Sequence, residues 1–148
     1  QLLYLTSQNP TADITLYLNT PGGSVSAGLS IMDTMNLISP DVATTVTGMA
    51  ASMGSILLCS GAKGKRAALP HARVLIHQPL GGASGQASDI LIAARQIESC
   101  REELCTRLSR QSGQSYDKVF ADMDRDYWMT SREALKYGMV DNIMGAGK

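Results

Sequence analysis

A serine, a histidine and a group of aspartates are the side chains of this sequence that could form a nucleophilic catalytic site. Ser52 lies in TGMAASMGS, a tract of small residues without charge. Residues 50–54 (AASMG) are a relaxed form of the G-x-S-x-G turn, in which a strand leads into a helix through a nucleophilic serine. The alternative is a tightly packed helix start without chemistry. A serine nucleophile also needs a base, an acid and an oxyanion site.

The candidate base is one of two histidines. His77 ends the apolar run VLI and precedes the glycine-rich segment QPLGG, so it could reach both a nucleophile and an open cleft. The alternative for His77 is a hydrogen-bonded histidine of the core. His71 follows a proline in a polar turn, where we expect it to be exposed and inert. We therefore predict that His77 is the base.

The candidate acids lie together in ADMDRDYW, which contains Asp122, Asp124 and Asp126. Any of the three could orient the histidine and stabilise its charged form. The segment alone does not distinguish them. The chain order of serine, histidine and aspartate differs from the order of serine, aspartate and histidine in α/β-hydrolases. This order argues against the hydrolase fold.

An oxyanion site is predicted at Gly22-Gly23, directly after an alternating apolar segment. Such a site needs backbone N–H groups close to the reacting carbonyl, and glycine permits the backbone conformations that expose them. The alternative is an ordinary β-turn.

Periodicity predicts strands that alternate with helices, which is typical of an α/β layered fold. Gly23, Ser52 and His77 each fall where a strand ends, and sites of α/β folds gather at such ends. In the helix 88–112, one face carries apolar side chains at positions 90, 94, 97, 104 and 108. The predicted strands are 13–20, 41–48, 72–78 and 139–143. The predicted helices are 24–38, 53–58, 88–112 and 115–123. A further helix is predicted to end before Asn9-Pro10, and another runs from the Thr130/Glu133 capping box to Gly138.

Composition predicts one globular domain over residues 1–148, with 44% hydrophobic residues and 13 basic against 13 acidic side chains. Zero net charge gives no electrostatic footprint for nucleic acid or an anionic membrane, so neither partner is expected. Three unpaired cysteines favour a reducing compartment. We expect the cytoplasm, with an organellar matrix or a plastid as alternatives. No metal or other cofactor is expected, and the opening QLLYLT suggests that an N-terminal portion is missing.

Six segments of the chain together resemble the family of Clp protease proteolytic subunits (ClpP), which are serine peptidases. The segments are NTPGGSVSAG, GMAASMGS, GAKGKR, IHQPLGG, GQASDI and EALKYGMVD, and they occur in order through nearly the whole chain. The resemblance implies that Ser52 is the nucleophile, His77 the base and Asp126 the acid. It also implies roles for other residues: Gly23 and Met53 at the oxyanion; Ser24, Val25, Pro79, Leu80 and Gly81 at the substrate; and Gln86, Asp89 and Arg125 in contacts between rings. Val25, Met53 and Pro79 would help to line an apolar pocket.

The resemblance also implies a fold, an assembly and partners. The fold would be the crotonase-like spiral of ββα units, with a handle made by the loop from Leu80 and the helix after Ser88. Two stacked seven-membered rings would enclose a chamber in which peptide bonds of unfolded proteins are hydrolysed. An ATP-driven AAA+ unfoldase of the Clp family would deliver them, and the N-terminal pore-loop segment of the family is absent from this sequence.

Three alternatives share parts of this pattern. An inactive relative could assemble without cutting, but the three candidate triad residues are all present. A crotonase-type acyl-CoA enzyme would not need the serine, histidine and aspartate set. A serine–lysine peptidase would need a base such as Lys63 or Lys65, which lie in a turn that we expect to be exposed.

Overall fold

The computed structural model describes residues 1–145 and contains six helices and six strands within that range. The strands are β1 (Ile14–Thr20), β2 (Val42–Ala51), β3 (Arg66–Ala68), β4 (Arg73–Ile76), β5 (Tyr127–Thr130) and β6 (Asn142–Ile143). The helices are α1 (Leu2–Gln8), α2 (Val25–Leu37), α3 (Met53–Cys59), α4 (Ala87–Ser112), α5 (Tyr116–Asp122) and α6 (Ser131–Tyr137).

All six strands belong to one sheet, whose central element is β2. The sheet order is β5-β4-β2-β3-β6, and β1 also pairs with β2. Along its length β2 pairs first with β3 and then with β4, so that Ala51 lies opposite Leu75. The pairings are parallel except for that of β4 with β5. This register brings the ends of β2 and β4 side by side.

The core is built around α3, all seven residues of which are buried. A helix that is apolar on every side must be surrounded by other elements. Strand β2 contacts α3 on one side, and Thr44 of that strand donates a hydrogen bond to the Leu58 carbonyl at 2.7 Å. Because Ser52 immediately precedes this helix, its backbone is held by the most buried element of the fold.

Three of the predicted helices have capping side chains at their starts. The side chains of Ser24 and Ser115 accept hydrogen bonds at the starts of α2 and α5. At α6, Thr130 and Glu133 form the predicted capping box, and Gly138 ends the helix in a left-handed conformation. These caps satisfy backbone groups that the helix itself leaves unpaired.

The long helix α4 packs on the core only through its second half. Leu104, Cys105 and Leu108 are buried, whereas Ile90, Leu91 and Ile92 are exposed. The predicted amphipathic helix is therefore present, and its apolar face is covered by the core only in the second half. This exposed half is the protruding handle that the resemblance implies, and the mixed α/β sheet agrees with the predicted fold class.

Candidate active site

Ser52 lies on a strained turn between β2 and α3. Its φ is 55° and its ψ is −124°, and among residues 1–145 it is the one residue other than glycine with a positive φ. Such conformations cost on the order of 1–3 kcal/mol and persist only where the surrounding structure enforces them. Here the Ser52 N–H donates to the Leu75 carbonyl at 3.0 Å, which ties the turn to β4.

The structure brings Ser52, His77 and Asp126 together in one hydrogen-bonded series. The His77 Nε2 is 2.8 Å from the Ser52 Oγ, and the His77 Nδ1 is 3.1 Å from the Asp126 Oδ1. Because an ionised carboxylate only accepts, Nδ1 carries the proton and Nε2 can accept from the hydroxyl. The His77 side chain is 16% exposed and that of Asp126 is 63% exposed.

The other two aspartates of the cluster have different partners. Asp122 accepts from the Tyr137 hydroxyl at 2.8 Å and from Lys118. Asp124 lies 3.3 Å from Arg101. Of the three aspartates that the segment alone left open, Asp126 is the one whose carboxylate contacts His77. His71 is exposed, as predicted.

Gly22 and Gly23 lie beside the start of α3. A Cβ on Gly22 would stand 2.6 Å from the Ser52 Cβ and 2.7 Å from the Ala51 carbonyl oxygen, so only glycine fits there. Its N–H donates to the Thr20 Oγ1 at 3.1 Å. Within residues 1–145 the N–H groups of Gly23 and Met53 donate to no protein acceptor. Two donors without partners next to a serine can stabilise a developing oxyanion.

An apolar cleft of about 180 Å³ opens next to these donors. It lies between the end of β1, α2 and α3, and is lined by Thr20, Gly22, Gly23, Ser24, Ala27, Gly28, Ile31, Met53, Gly54 and Leu57. Met53 was expected in such a pocket, whereas Val25 and Pro79 are not among the lining residues. Ala27, Ile31 and Leu57 were not predicted as lining residues, although the four-residue spacings of Ala27 with Ile31 and of Met53 with Leu57 place each pair on one helix face.

A second cleft, of about 470 Å³, lies on the acid side of the site. Its lining residues are His77, Gln78, Pro79, Leu80, Gly81, Ile97, Asp124, Arg125 and Asp126. Ser24 of one expected substrate segment lines the first cleft, and residues 79–81 of the other line the second. Of the expected ring-contact residues, Gln86 and Asp89 lie at the start of α4, and neither contacts Arg125 within the chain.

Lys63 is exposed, and Lys65 is held by two carboxylates. Lys65 lies 2.6 Å from Asp13 and 3.0 Å from Asp41, and hydrogen bonds to these carboxylates raise the pKa of its ammonium group. A lysine that is held charged cannot take a proton from a serine. This geometry argues against the serine–lysine alternative.

The far end of α3 contacts an ion pair between the buried Arg66 and the half-buried Asp141. Arg66 is 4% exposed and binds the Asp141 carboxylate through two nitrogens at 2.9 and 2.6 Å. A third nitrogen donates to the carbonyls of Cys59 and Gln111. Hydrogen bonds from Arg66 lower the pKa of Asp141, and burial raises the pKa of the Cys59 thiol to about 12. The network joins α3, α4, β3 and the segment before β6.

The part of the chain that the structure describes offers neither a metal-ligating group nor a helix that could cross a membrane. Residues 1–145 hold no group of three or more metal-ligating side chains. No helix in that range has the length and apolar character needed to cross a membrane.

The fold and this serine–histidine–aspartate series define a serine-type peptidase, and comparison with known proteins gives the family. The family model described as Clp protease matches residues 1–147. Relatives named ATP-dependent Clp protease proteolytic subunit are 64% identical in Bacteroides fragilis, 62% in Porphyromonas gingivalis and 61% in Bacteroides thetaiotaomicron. Each match covers 97% of this chain and 70%, 65% and 66% of the respective relative. The chain belongs to the Clp protease family, and the predicted family and enzyme class are confirmed.

Proposed function

We propose that this chain hydrolyses peptide bonds of unfolded polypeptides, with Ser52 as nucleophile, His77 as base and Asp126 as the acid that orients it. The observation that carries the proposal is the hydrogen-bonded series from Ser52 through His77 to Asp126, at 2.8 and 3.1 Å. The strained turn at Ser52 supports it, since such a turn presents the hydroxyl to a substrate.

In the first half of the proposed reaction, an extended peptide lies between segments 24–25 and 79–81 and pairs with their backbone as an added strand. The Ser52 Oγ attacks the carbonyl carbon while His77 Nε2 takes the hydroxyl proton. The carbonyl oxygen becomes negative and accepts from the N–H groups of Gly23 and Met53. Collapse of this intermediate breaks the C–N bond, and His77 gives its proton to the leaving amine.

The second half releases the acyl group from Ser52. A water molecule attacks the ester carbon, and His77 accepts one of its protons. The oxyanion forms again at the same two N–H groups, the bond to the Ser52 Oγ breaks, and His77 returns the proton to that oxygen. The carboxylic acid product leaves, and the resting site is restored without a cofactor.

The assembly and partners are part of the same proposal. We infer two stacked seven-membered rings from the family resemblance. Delivery of substrates by a Clp-family AAA+ unfoldase is supported by the relatives' name, ATP-dependent Clp protease proteolytic subunit. The exposed apolar residues on the first half of α4 support an interface there, with Gln86, Asp89 and Arg125 as contact residues. Three free cysteines fit the expected cytoplasmic location.

The test is Ser52→Ala in an assay with a short fluorogenic peptide and a fluorophosphonate probe. Loss of one triad member typically lowers kcat by ~10⁴ or more. We expect that loss for Ser52→Ala and a similar one for His77→Ala, with no probe labelling of Ser52→Ala. His71→Ala is the matched control and should keep the parental kcat. Retained turnover in pure Ser52→Ala protein would contradict the proposal.

A further inference from the structure

The loop that carries Asp126 has few anchors of its own. Asp126 is largely exposed, and the residues before it, 123–125, form no regular element. Gln78, the residue after His77, makes two hydrogen bonds to this loop. The Gln78 N–H donates to the Met123 carbonyl at 2.6 Å, and the Gln78 side chain donates to the Asp124 carbonyl at 2.7 Å.

A third contact comes from Arg101 on the handle helix α4. Its Nη2 lies 3.3 Å from the Asp124 Oδ1, and its guanidinium carbon lies 3.8 Å from the centre of the Phe120 ring. The Arg101 side chain is only 12% exposed. It therefore joins α4, α5 and the loop that carries the acid.

One donor of Arg101 takes no part in these contacts. Its Nε is buried and has no hydrogen-bond partner among residues 1–145. A buried donor without a partner costs free energy that an apolar side chain of similar size would not. What the charge does provide is a fixed electrostatic partner for Asp124, two residues before Asp126.

We propose that Arg101 is a positioning residue for the peptidase reaction: through Asp124 it holds the loop that places Asp126 against His77. The inference rests on the proposed role of Asp126 as the triad acid. Arginine suits this position because its flat guanidinium stacks on Phe120 while its edge faces the carboxylate. Since Arg101 lies on α4, displacement of that helix is transmitted to the acid through this contact.

The test is a double-mutant cycle that measures kcat and KM for a short fluorogenic peptide. Arg101→Met keeps the side-chain volume and removes the charge. Displacement of a catalytic group by about 1 Å can cost ~100-fold, so we expect a fall in kcat of about 10-fold from a smaller displacement, with KM changed less than about twofold. In an Asp126→Ala background, Arg101→Met should cause no further loss, because residues that act through one another are not additive.

Other outcomes of the cycle overturn the inference. An equal loss in both backgrounds would mean a general structural role for Arg101, and an unchanged kcat would mean no role. Unchanged kcat in Asp126→Ala alone would instead overturn the proposed triad, which separates the two failures. Arg107→Met is the matched control, since it removes another α4 arginine whose ion pair, with Glu103 at 2.8 Å, lies on the same helix.

Two further variants separate the ionic contact from the stacking contact. Asp124→Asn removes the same ion pair from its exposed end, which spares folding, and should reproduce the loss in kcat. Arg101→Lys keeps a cation for Asp124 and should restore part of the kcat lost in Arg101→Met. The ionic coupling would be overturned by a parental kcat in Asp124→Asn. It would also be overturned if the kcat of Arg101→Lys were no higher than that of Arg101→Met.

Discussion

The nucleophile side and the acid side of the site are held in opposite ways. Ser52 stands on a strained turn that leads into α3, a helix in which every residue is buried. Gly22 fits against it with no room for a methyl group. Asp126 is 63% exposed, and its loop is held by contacts from Gln78 and Arg101. The nucleophile is fixed by the core, whereas the acid depends on peripheral contacts.

This difference has a physical consequence. Close packing leaves the nucleophile and the oxyanion donors one arrangement, since interiors do not deform continuously. A surface loop can shift at small cost, because its contacts are few and partly solvated. Changes near Asp126 are therefore expected to alter activity without unfolding the protein. Changes near Ser52 are expected to lower both activity and stability.

Among the variants outside the triad, the largest effect should come from Gly22→Ala, which disturbs the packed side of the site. The new Cβ would stand 2.6 Å from the Ser52 Cβ, and φ at this position is +103°. Loss of an oxyanion donor costs up to ~10³ in kcat, and we expect a loss of that order because the turn and the donors must both move. The melting temperature should fall as well. Steady-state kinetics and calorimetry of the purified variant measure the two effects.

Gly23→Val is the matched comparison for Gly22→Ala. The φ of Gly23 is +150°, which strains any side chain, but no described atom outside its chain neighbours lies within 4 Å of the position that a Cβ would take. Valine there should crowd the approaching peptide and tilt the oxyanion N–H, at a catalytic cost of about 3 kcal/mol, while lowering the melting temperature less. A kcat within a few-fold of the parent would contradict the oxyanion role of Gly23.

The next variant tests the ion pair at the end of α3. Asp141→Ala should lower the free energy of unfolding by about 3 kcal/mol, because it leaves the guanidinium of Arg66 buried without its carboxylate. Chemical denaturation measures this change. The kcat of the folded fraction should stay near the parental value, since Asp141 contacts no residue of the site. A large loss of kcat in fully folded protein would show that the ion pair between Arg66 and Asp141 also controls the nucleophile.

The same pair predicts a pH dependence of stability. The pKa of Asp141 lies below its ordinary value of 3.8 because Arg66 donates hydrogen bonds to the ionised form. Its contribution is therefore complete above the unfolded-state pKa and is lost as the pH falls through the folded-state pKa. As the pH falls below about 4, the free energy of unfolding should decrease less for Asp141→Asn than for the parent.

A smaller effect is expected at Arg125, on the acid side. Its side chain is 90% exposed, and within the chain its nearest carboxylate is that of Asp124 at 3.9 Å. If Arg125 contacts Gln86 and Asp89 of an opposing subunit, Arg125→Ala should separate the rings and let Asp126 move from His77. A displacement of about 1 Å corresponds to a loss of up to ~100-fold in turnover. Native mass spectrometry with a peptidase assay measures both, and intact double rings with normal turnover would contradict the contact.

The smallest effect concerns thiol reactivity on the two sides. Burial raises the pKa of Cys59, at the end of α3, to about 12, so the thiol stays protonated and enclosed. Cys100, next to Arg101, is partly exposed. Iodoacetamide at neutral pH should modify Cys100 before Cys59, as followed by peptide mass spectrometry, because the thiolate is the reactive form. Faster modification of Cys59 would show that the packed side opens more readily than its burial indicates.

The elements that could be predicted are those with local causes. The caps at Ser24, Ser115 and Thr130 were predictable because each satisfies backbone groups within four residues. The missed strands β3 and β5 have three and four residues, and they form because neighbouring strands offer backbone partners. The exposed half of α4 could not be told from a core-facing helix, since periodicity records an apolar face but not what covers it.

The sequence by itself determined the candidate nucleophile and base, because Ser52 stands in a distinctive tract and the chain has only two histidines. It left three aspartates open until family resemblance selected Asp126. Tertiary structure decided which carboxylate meets His77, that Gly22 must lack a side chain, and that Arg101 touches the loop of the acid. These contacts join residues that lie 23 to 49 positions apart in the sequence. Only the packing of strands and helices sets such separations, because no local rule of spacing fixes them.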